Sequence, residues 1–458
     1  MSSKTSPMVD VLIGSPRDSF WETVQLVLKG YYPYKLKHVR SIDEILENTD
    51  AEFRPVLALI DAQDGSTVAN EWVQSTKMTY ECPVIVLHSA AAPLNFDLVK
   101  KNGANEIMHL NFDREFISDM ILQLAPIEME GDQIPITSLM PVDMRDIEPS
   151  MNVNFDVYAH LPANHRSVLL RKSGDIIDER QVEKFKNLKQ QMYVKKTQMK
   201  QFFEYARTIM SMRNVAFPVS MTEKFHRSKK AIYQIMTEFL NGTGGDYSEG
   251  KIILEKCREI LAEFDLTKDL SPEDLTAEIC RFTGNLRTNY HDCICMSAYG
   301  AYFAQLLGWD QAKREAAALS GLLHNIGLSQ MPPQAADKLF ADMNEEEKNE
   351  YRRYPDRSVI MVKAKKVPLP QEVADGIAQH RELGSGQGFP KKLIAKDISE
   401  MGKLMALAYS FHEMTALRPG RPASPPAVAL THLRDTAMEG SGDYDLVMAT
   451  QIFKKFKI

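Results

Sequence analysis

Three histidines, one carboxylate and three arginines are the side chains in this sequence whose types suit reaction chemistry. The histidines are His291, His324 and His380; Glu382 follows the last of them, and the arginines are Arg381, Arg418 and Arg421. Three neutral imidazoles suit Zn²⁺ or another borderline dication. A carboxylate next to such a centre has the chemistry of a general base. Guanidinium forks suit phosphate oxygens and guanine edges. His324 is followed by the neutral Asn325, and His380 opens the run His380-Arg381-Glu382-Leu383-Gly384-Ser385-Gly386-Gln387-Gly388-Phe389-Pro390. Apart from these, Asp61 ends the apolar run Val56-Leu57-Ala58-Leu59-Ile60.

Two kinds of element must position these residues. From about residue 215 onward, apolar residues recur at three- and four-residue spacing, which predicts an all-α bundle. The N-terminal third instead carries short apolar runs, Val9 to Ile13, Val56 to Ile60 and Pro83 to Leu87, alternating with helical segments. That alternation predicts a doubly wound α/β sheet with Asp61 at the end of its middle strand. Residues 127–150, polar and with three prolines, read as a linker. Strand candidates at Phe155 to Ala159 and Ser167 to Arg171, then a helix from Glu179, predict a small α+β adapter over 151–202. The expected organisation is 8–126 α/β, 127–150 linker, 151–202 adapter and 203–458 helical. The lysines between Lys184 and Lys200 read as a solvated helix face. Gly242-Thr243-Gly244-Gly245-Asp246 reads as an interhelix loop, since no Gly-Lys-Ser/Thr follows it.

The histidine motifs, taken in order, resemble the HD-GYP family over about residues 280–456. His291 in Asn289-Tyr290-His291 matches the family's first histidine. His324 in Leu322-Leu323-His324-Asn325-Ile326-Gly327 matches the histidine of its His-Asp pair, and His380 the first histidine of its His-His-Glu segment. Gly386, Gly388, Phe389 and Pro390 match the Gly-Tyr-Pro loop, with Phe for Tyr. Arg418-Pro419-Gly420-Arg421 and Tyr444-Asp445-Leu446-Val447 resemble two further family segments. The resemblance implies an HD-type helical bundle, two or three metal ions and hydrolysis of cyclic di-GMP.

The departures remove much of that chemistry. Asn325 replaces a bridging aspartate, Leu328 a lysine, Tyr354 a histidine, Arg381 the second histidine of its segment, and Ser385 and Tyr409 aspartates; His412 falls at a further aspartate. Two dications about 3.5–4 Å apart repel and need bridging anions. Asn325 and Tyr409 supply none, and Arg381 adds a permanent positive charge. The expectation is therefore no cofactor, or one divalent ion (Zn, Mn or Fe) on His291, His324 and His380 with Asn325 beside them. Glu382 is the remaining base if any activity persists, and Arg381, Arg418 and Arg421 are the candidate ligand contacts.

The N-terminal third resembles the receiver domain of response regulators, a flavodoxin-like fold, with Asp61 at the phosphoacceptor position. Phosphorylation there needs Mg²⁺ held by acidic residues after the first strand, and a lysine after the fifth. This sequence has Gly14-Ser15 and Leu110 at those places, and His88 at the family's threonine. A pseudo-receiver with Asp61 as a phosphoacceptor remnant is expected.

Net charge −6 over 458 residues argues against a general nucleic-acid binder. No apolar run approaches a membrane span, no signal peptide is read, and the five cysteines fit neither a disulfide framework nor a zinc ribbon. These readings predict a cytoplasmic, catalytically impaired HD-GYP-family protein that acts by protein–protein interaction in a cyclic di-GMP or two-component circuit. Its partners would be signalling proteins, with homodimerisation expected, and neither DNA nor membrane insertion. The alternatives are a residual metal-dependent cyclic di-GMP phosphodiesterase and a non-hydrolytic cyclic di-GMP receptor.

Overall fold

A computed structural model of the chain describes residues 9–455 apart from 29–33, 48–51, 90–93, 111, 127–133, 135, 162–165, 188–190, 214–220, 241–244, 264–270, 272–273, 277–288, 332–334, 336–337, 339, 417–422 and 440–441. The chain divides into two units, 1–226 and 227–458.

In the first unit the apolar runs become β1 (Val9–Gly14), β3 (Leu57–Asp61) and β4 (Val84–His88), joined by β2 (Tyr34–Val39) and β5 (Glu106–His109). They form one parallel sheet in the order β2-β1-β3-β4-β5. Every residue of β3 and β4 is buried, as expected for strands covered on both faces. Helices α1 (Asp18–Leu28) and α5 (Arg114–Leu124) pack together, and α3 (Ser66–Thr79) packs with both α2 (Ile42–Leu46) and α4 (Phe96–Lys101). Asp61 ends the central strand, beside Leu87 of β4.

A second, antiparallel sheet has the order β6-β9-β7-β8, from β6 (Leu139–Val142), β7 (Val157–Leu161), β8 (Arg166–Arg171) and β9 (Met192–Lys195). Helices α6 (Glu179–Asn187) and α7 (Met199–Met212) complete its core around Phe155, Phe202 and Tyr205. Two boundaries differ from the sequence reading. The segment read as a linker supplies β6, because Leu139, Met140 and Val142 are apolar and bury. Pro141 fits there because β6 is an edge strand, where a missing N–H breaks no ladder. Helix α7, expected to begin the helical domain, packs on this sheet through Phe202, Tyr205 and Ala206.

The division between units falls within α8 (Met221–Leu240), which α9 (Tyr247–Glu263) follows. The second unit continues with α10 (Asn289–Leu306), α11 (Gln311–Leu323), α12 (Glu345–Arg352), α13 (Tyr354–Ala364), α14 (Gln371–Gln379), α15 (Glu400–Thr415), α16 (Pro426–Met438) and α17 (Leu446–Lys455). Helix α10 is buried without interruption from Asp292 to Ala304, which makes it the central helix. It ends at Gly308, whose φ of 73° suits glycine. There the Trp309 N–H bonds the Ala304 carbonyl at 3.0 Å and the Gly308 N–H bonds that of Gln305 at 2.9 Å. Asp310 then caps α11 by accepting from the Lys313 N–H at 2.8 Å. A Cβ on Gly321 would lie 2.3 Å from the Met296 carbonyl carbon, so glycine sets the close approach of α11 to α10. Of the glycine-rich run near residue 243, Gly245 is described; its Cβ would lie 2.9 Å from the Lys365 backbone, which accounts for glycine there by packing.

Candidate functional site

His324 and His380 each sit at the C-terminal end of a helix, α11 and α14, and both are buried. In each ring Nδ1 is 2.7 Å from the carbonyl three residues back, Gly321 for His324 and Ile377 for His380. A carbonyl only accepts, so Nδ1 carries the proton and Nε2 the lone pair. The two rings meet edge to face with centroids 5.0 Å apart. Burial pushes His324 down to about 4 and holds His380 well below the ordinary imidazole range, with His324 and Arg381 lowering His380 further. Both imidazoles are therefore neutral at physiological pH.

Tertiary packing brings tyrosines to this pair that the sequence reading had assigned no role. The Tyr354 hydroxyl lies 2.6 Å from His380 Nε2, and since that nitrogen carries the lone pair, the phenol donates. Burial raises the pKa of both Tyr354 and Tyr409, which keeps them as O–H donors. Arg381 Nη1 donates to the hydroxyls of Tyr409 at 2.6 Å, Tyr351 at 3.2 Å and Tyr354 at 3.5 Å. Its guanidinium lies 4.0 Å from the ring centre of Tyr409 and 4.5 Å from that of Phe389, close enough for cation–π attraction. Tyr409 in turn donates to Glu413 at 3.2 Å. Proton direction is consistent throughout: Arg381 to Tyr354, Tyr354 to His380, and His380 to the Ile377 carbonyl.

A metal ion at His324 and His380 would need the His380 lone pair that Tyr354 occupies, and would face the Arg381 cation. These residues do not fit a dication. Among the described residues, the three His, Cys, Asp or Glu side chains whose ligand atoms all fall within 4.8 Å are His291, Cys295 and His412, a group near enough to His324 that His412 and the neighbouring Asp292 act on its charge. The three-histidine set His291, His324 and His380 is thus not assembled. Asn325, buried, accepts from Cys293 Sγ at 2.9 Å and donates Nδ2 to the Asn289 carbonyl at 3.0 Å. It ties the ends of α10 and α11 together.

Glu382 is buried, and its two oxygens accept from the Lys391 N–H at 2.6 Å and the Leu393 N–H at 2.9 Å. Its carboxylate therefore secures the loop through Gly388, Phe389 and Pro390. The close fit of that loop shows at Gly388, where a Cβ would lie 2.3 Å from the Leu383 nitrogen. Ser385 donates to Asp443, anchoring the same loop to the segment before α17. Arg418 and Arg421 lie outside the described residues.

In the first unit, Asp61 is held from three sides. Its Oδ2 accepts from Ser15 Oγ at 2.7 Å and Arg17 Nη1 at 2.9 Å, and its Oδ1 from the Gln63 N–H at 2.9 Å. Arg17 also pairs with Asp64. A guanidinium thus stands against the carboxylate. The signal was present in the sequence as Ser15 and Arg17 just after β1, although only their pairing with Asp61 gives them meaning. His88 is buried against Phe96 and His109, and burial pushes it down to about 4.

Residues 270–446 match the protein-family model described as "HD domain". No curated protein matches the chain. A solved structure titled "Bd1817, a HDG"Y"P protein from Bdellovibrio bacteriovorus" is similar to it at 17% sequence identity and a TM-score of 0.43, over 70% of this chain and 100% of that one. Among the described residues no helix is long and apolar enough to cross a membrane.

Proposed function

We propose that this chain is a catalytically impaired signalling protein of HD-GYP type that works by binding other proteins, its N-terminal sheet serving as a pseudo-receiver. The observation that carries the proposal is the 2.6 Å bond from Tyr354 to His380 Nε2, with Arg381 beside it. The lone pair that a dication would need is used by a phenol, and a guanidinium supplies the positive charge. Phosphodiester hydrolysis requires an activated water and charge neutralisation at phosphorus, and Glu382, engaged by two backbone N–H groups, is not disposed to serve as base. In the pseudo-receiver, Arg17 against Asp61 takes the part that a metal ion has in phosphoryl transfer. The implied partners are signalling proteins, including a second copy of the chain, in a cyclic di-GMP or two-component circuit.

The test is cyclic di-GMP turnover by the full chain after loading with Mn²⁺, Fe²⁺ or Zn²⁺ in parallel, with equilibrium binding measured alongside. Neither turnover nor saturable binding is expected. Metal-dependent turnover lost in His324→Ala would replace this reading with a residual phosphodiesterase. Saturable binding without product, lost in Arg381→Ala, would replace it with a cyclic di-GMP receptor.

A further inference from the structure

Outside the His324–His380 pair, His291 and Cys295 lie one helical turn apart on α10, and His412 reaches them from α15. One ligand atom from each falls within 4.8 Å of the other two. Cys295 Sγ is 3.4 Å from His291 Nε2. Around a tetrahedral ion with Zn–N of about 2.0 Å and Zn–S of about 2.3 Å, N and S ligands sit about 3.5 Å apart. Asp292 is the adjoining carboxylate, with Oδ1 2.8 Å from His412 Nε2 and 3.6 Å from His291 Nδ1. The His291 and His412 ring centres are 5.7 Å apart. Cys295 and His412 are buried, and the His291 side chain is 11% exposed.

We propose that His291, Cys295 and His412 bind one zinc-class ion, with Asp292 as fourth ligand or as hydrogen-bond partner of a ligating imidazole. Within the set, His291 matches the family's first histidine and His412 falls at a family aspartate, whereas Cys295 matches no motif position of the resemblance. A thiolate with two imidazoles selects a borderline metal over Mg²⁺ or Ca²⁺. Binding takes Cys295 as thiolate, so its S–H proton leaves as the S–metal bond forms. No redox change is involved. The ion would pin α10 to α15, a structural role that is independent of the proposed signalling function.

The test uses the full chain purified without a polyhistidine tag, stripped with a chelator and titrated with Co²⁺. One equivalent is expected to give tetrahedral cobalt bands together with a thiolate-to-cobalt charge-transfer band, and Zn²⁺ to bleach both. Cys295→Ser should abolish the charge-transfer band, and His412→Ala should weaken binding at least about ten-fold, since even outer-shell partners are worth about 10–100-fold. Cys293→Ala, which alters the thiol bonded to Asn325, should keep the band. Absence of stoichiometric cobalt, a wild-type spectrum without the thiolate band, or a band that survives in Cys295→Ser would each overturn the proposal. The wild-type spectrum alone is decisive, so a variant that fails to fold does not protect the idea.

Discussion

His324 provides the sharpest quantitative test of the site's architecture. Its imidazole is 2% exposed and burial pushes its pKa from 6.5 to about 4. The unfolded chain therefore takes up this proton first as pH falls. The sign follows: the stability contribution is complete above about pH 6.5 and is lost as pH drops toward about 4. At about 1.36 kcal/mol per pH unit, the loss from this one group is about 2 kcal/mol by about pH 5 and about 3 kcal/mol below about pH 4. Carboxylates and the similarly depressed His88 titrate over an overlapping range, so the informative quantity is a difference between two proteins. His324→Asn removes the titration while leaving an N–H to offer the Gly321 carbonyl. Urea unfolding of the full chain, followed by the far-ultraviolet helical signal, would be compared for wild type and variant at about pH 7.5 and about pH 5. The variant is expected to be less stable at the higher pH because it loses the packed ring, and its deficit should shrink by about 2 kcal/mol at the lower pH. A deficit that stays constant or widens would show that His324 is not a buried neutral imidazole, and the account of the site would fall with it.

Other changes follow from the same contacts. Tyr354→Phe removes the donor to His380 Nε2 and should cost about 1–3 kcal/mol, read by urea unfolding, because the acceptor stays buried without its partner. Arg17→Ala should cost the first unit about 1–3 kcal/mol by leaving part of the Asp61 charge unpaired. Incubating the wild-type chain with acetyl phosphate should leave Asp61 unmodified by mass spectrometry; phosphoryl transfer to that residue would refute the pseudo-receiver reading. Gly321→Ala, with its Cβ forced against the Met296 carbonyl, should lower stability by about 1–3 kcal/mol and shift the thermal midpoint down.

Much of the fold was legible because it depends on local patterning. Apolar runs of five residues gave β1, β3 and β4, and three- to four-residue spacing gave the helical bundle, whose HD match spans 270–446. The strand at Leu139–Val142 escaped because a prolyl residue within a polar stretch resembles a linker; its partner β9 lies some fifty residues on in the chain and supplies the pairing that makes it a strand. The site was less legible. Sequence order named His324 and His380, and it named Tyr354, Arg381 and Tyr409 as departures from a ligand pattern. It gave no sign that these departures hydrogen-bond to one another and to His380.

The sequence by itself determined which elements form and which charges are present, since backbone propensity, apolar periodicity and side-chain identity are properties of neighbouring residues. Only the tertiary structure decided who partners whom. It set Tyr354 of α13 on His380 at the end of α14, Arg17 on Asp61, and His291 with Cys295 and His412 rather than with the other two histidines. Hydrogen bonds and metal ligation act over about 3 Å. Whether residues far apart in the chain come within that distance depends on helix packing, which close contacts such as Gly321 against Met296 fix.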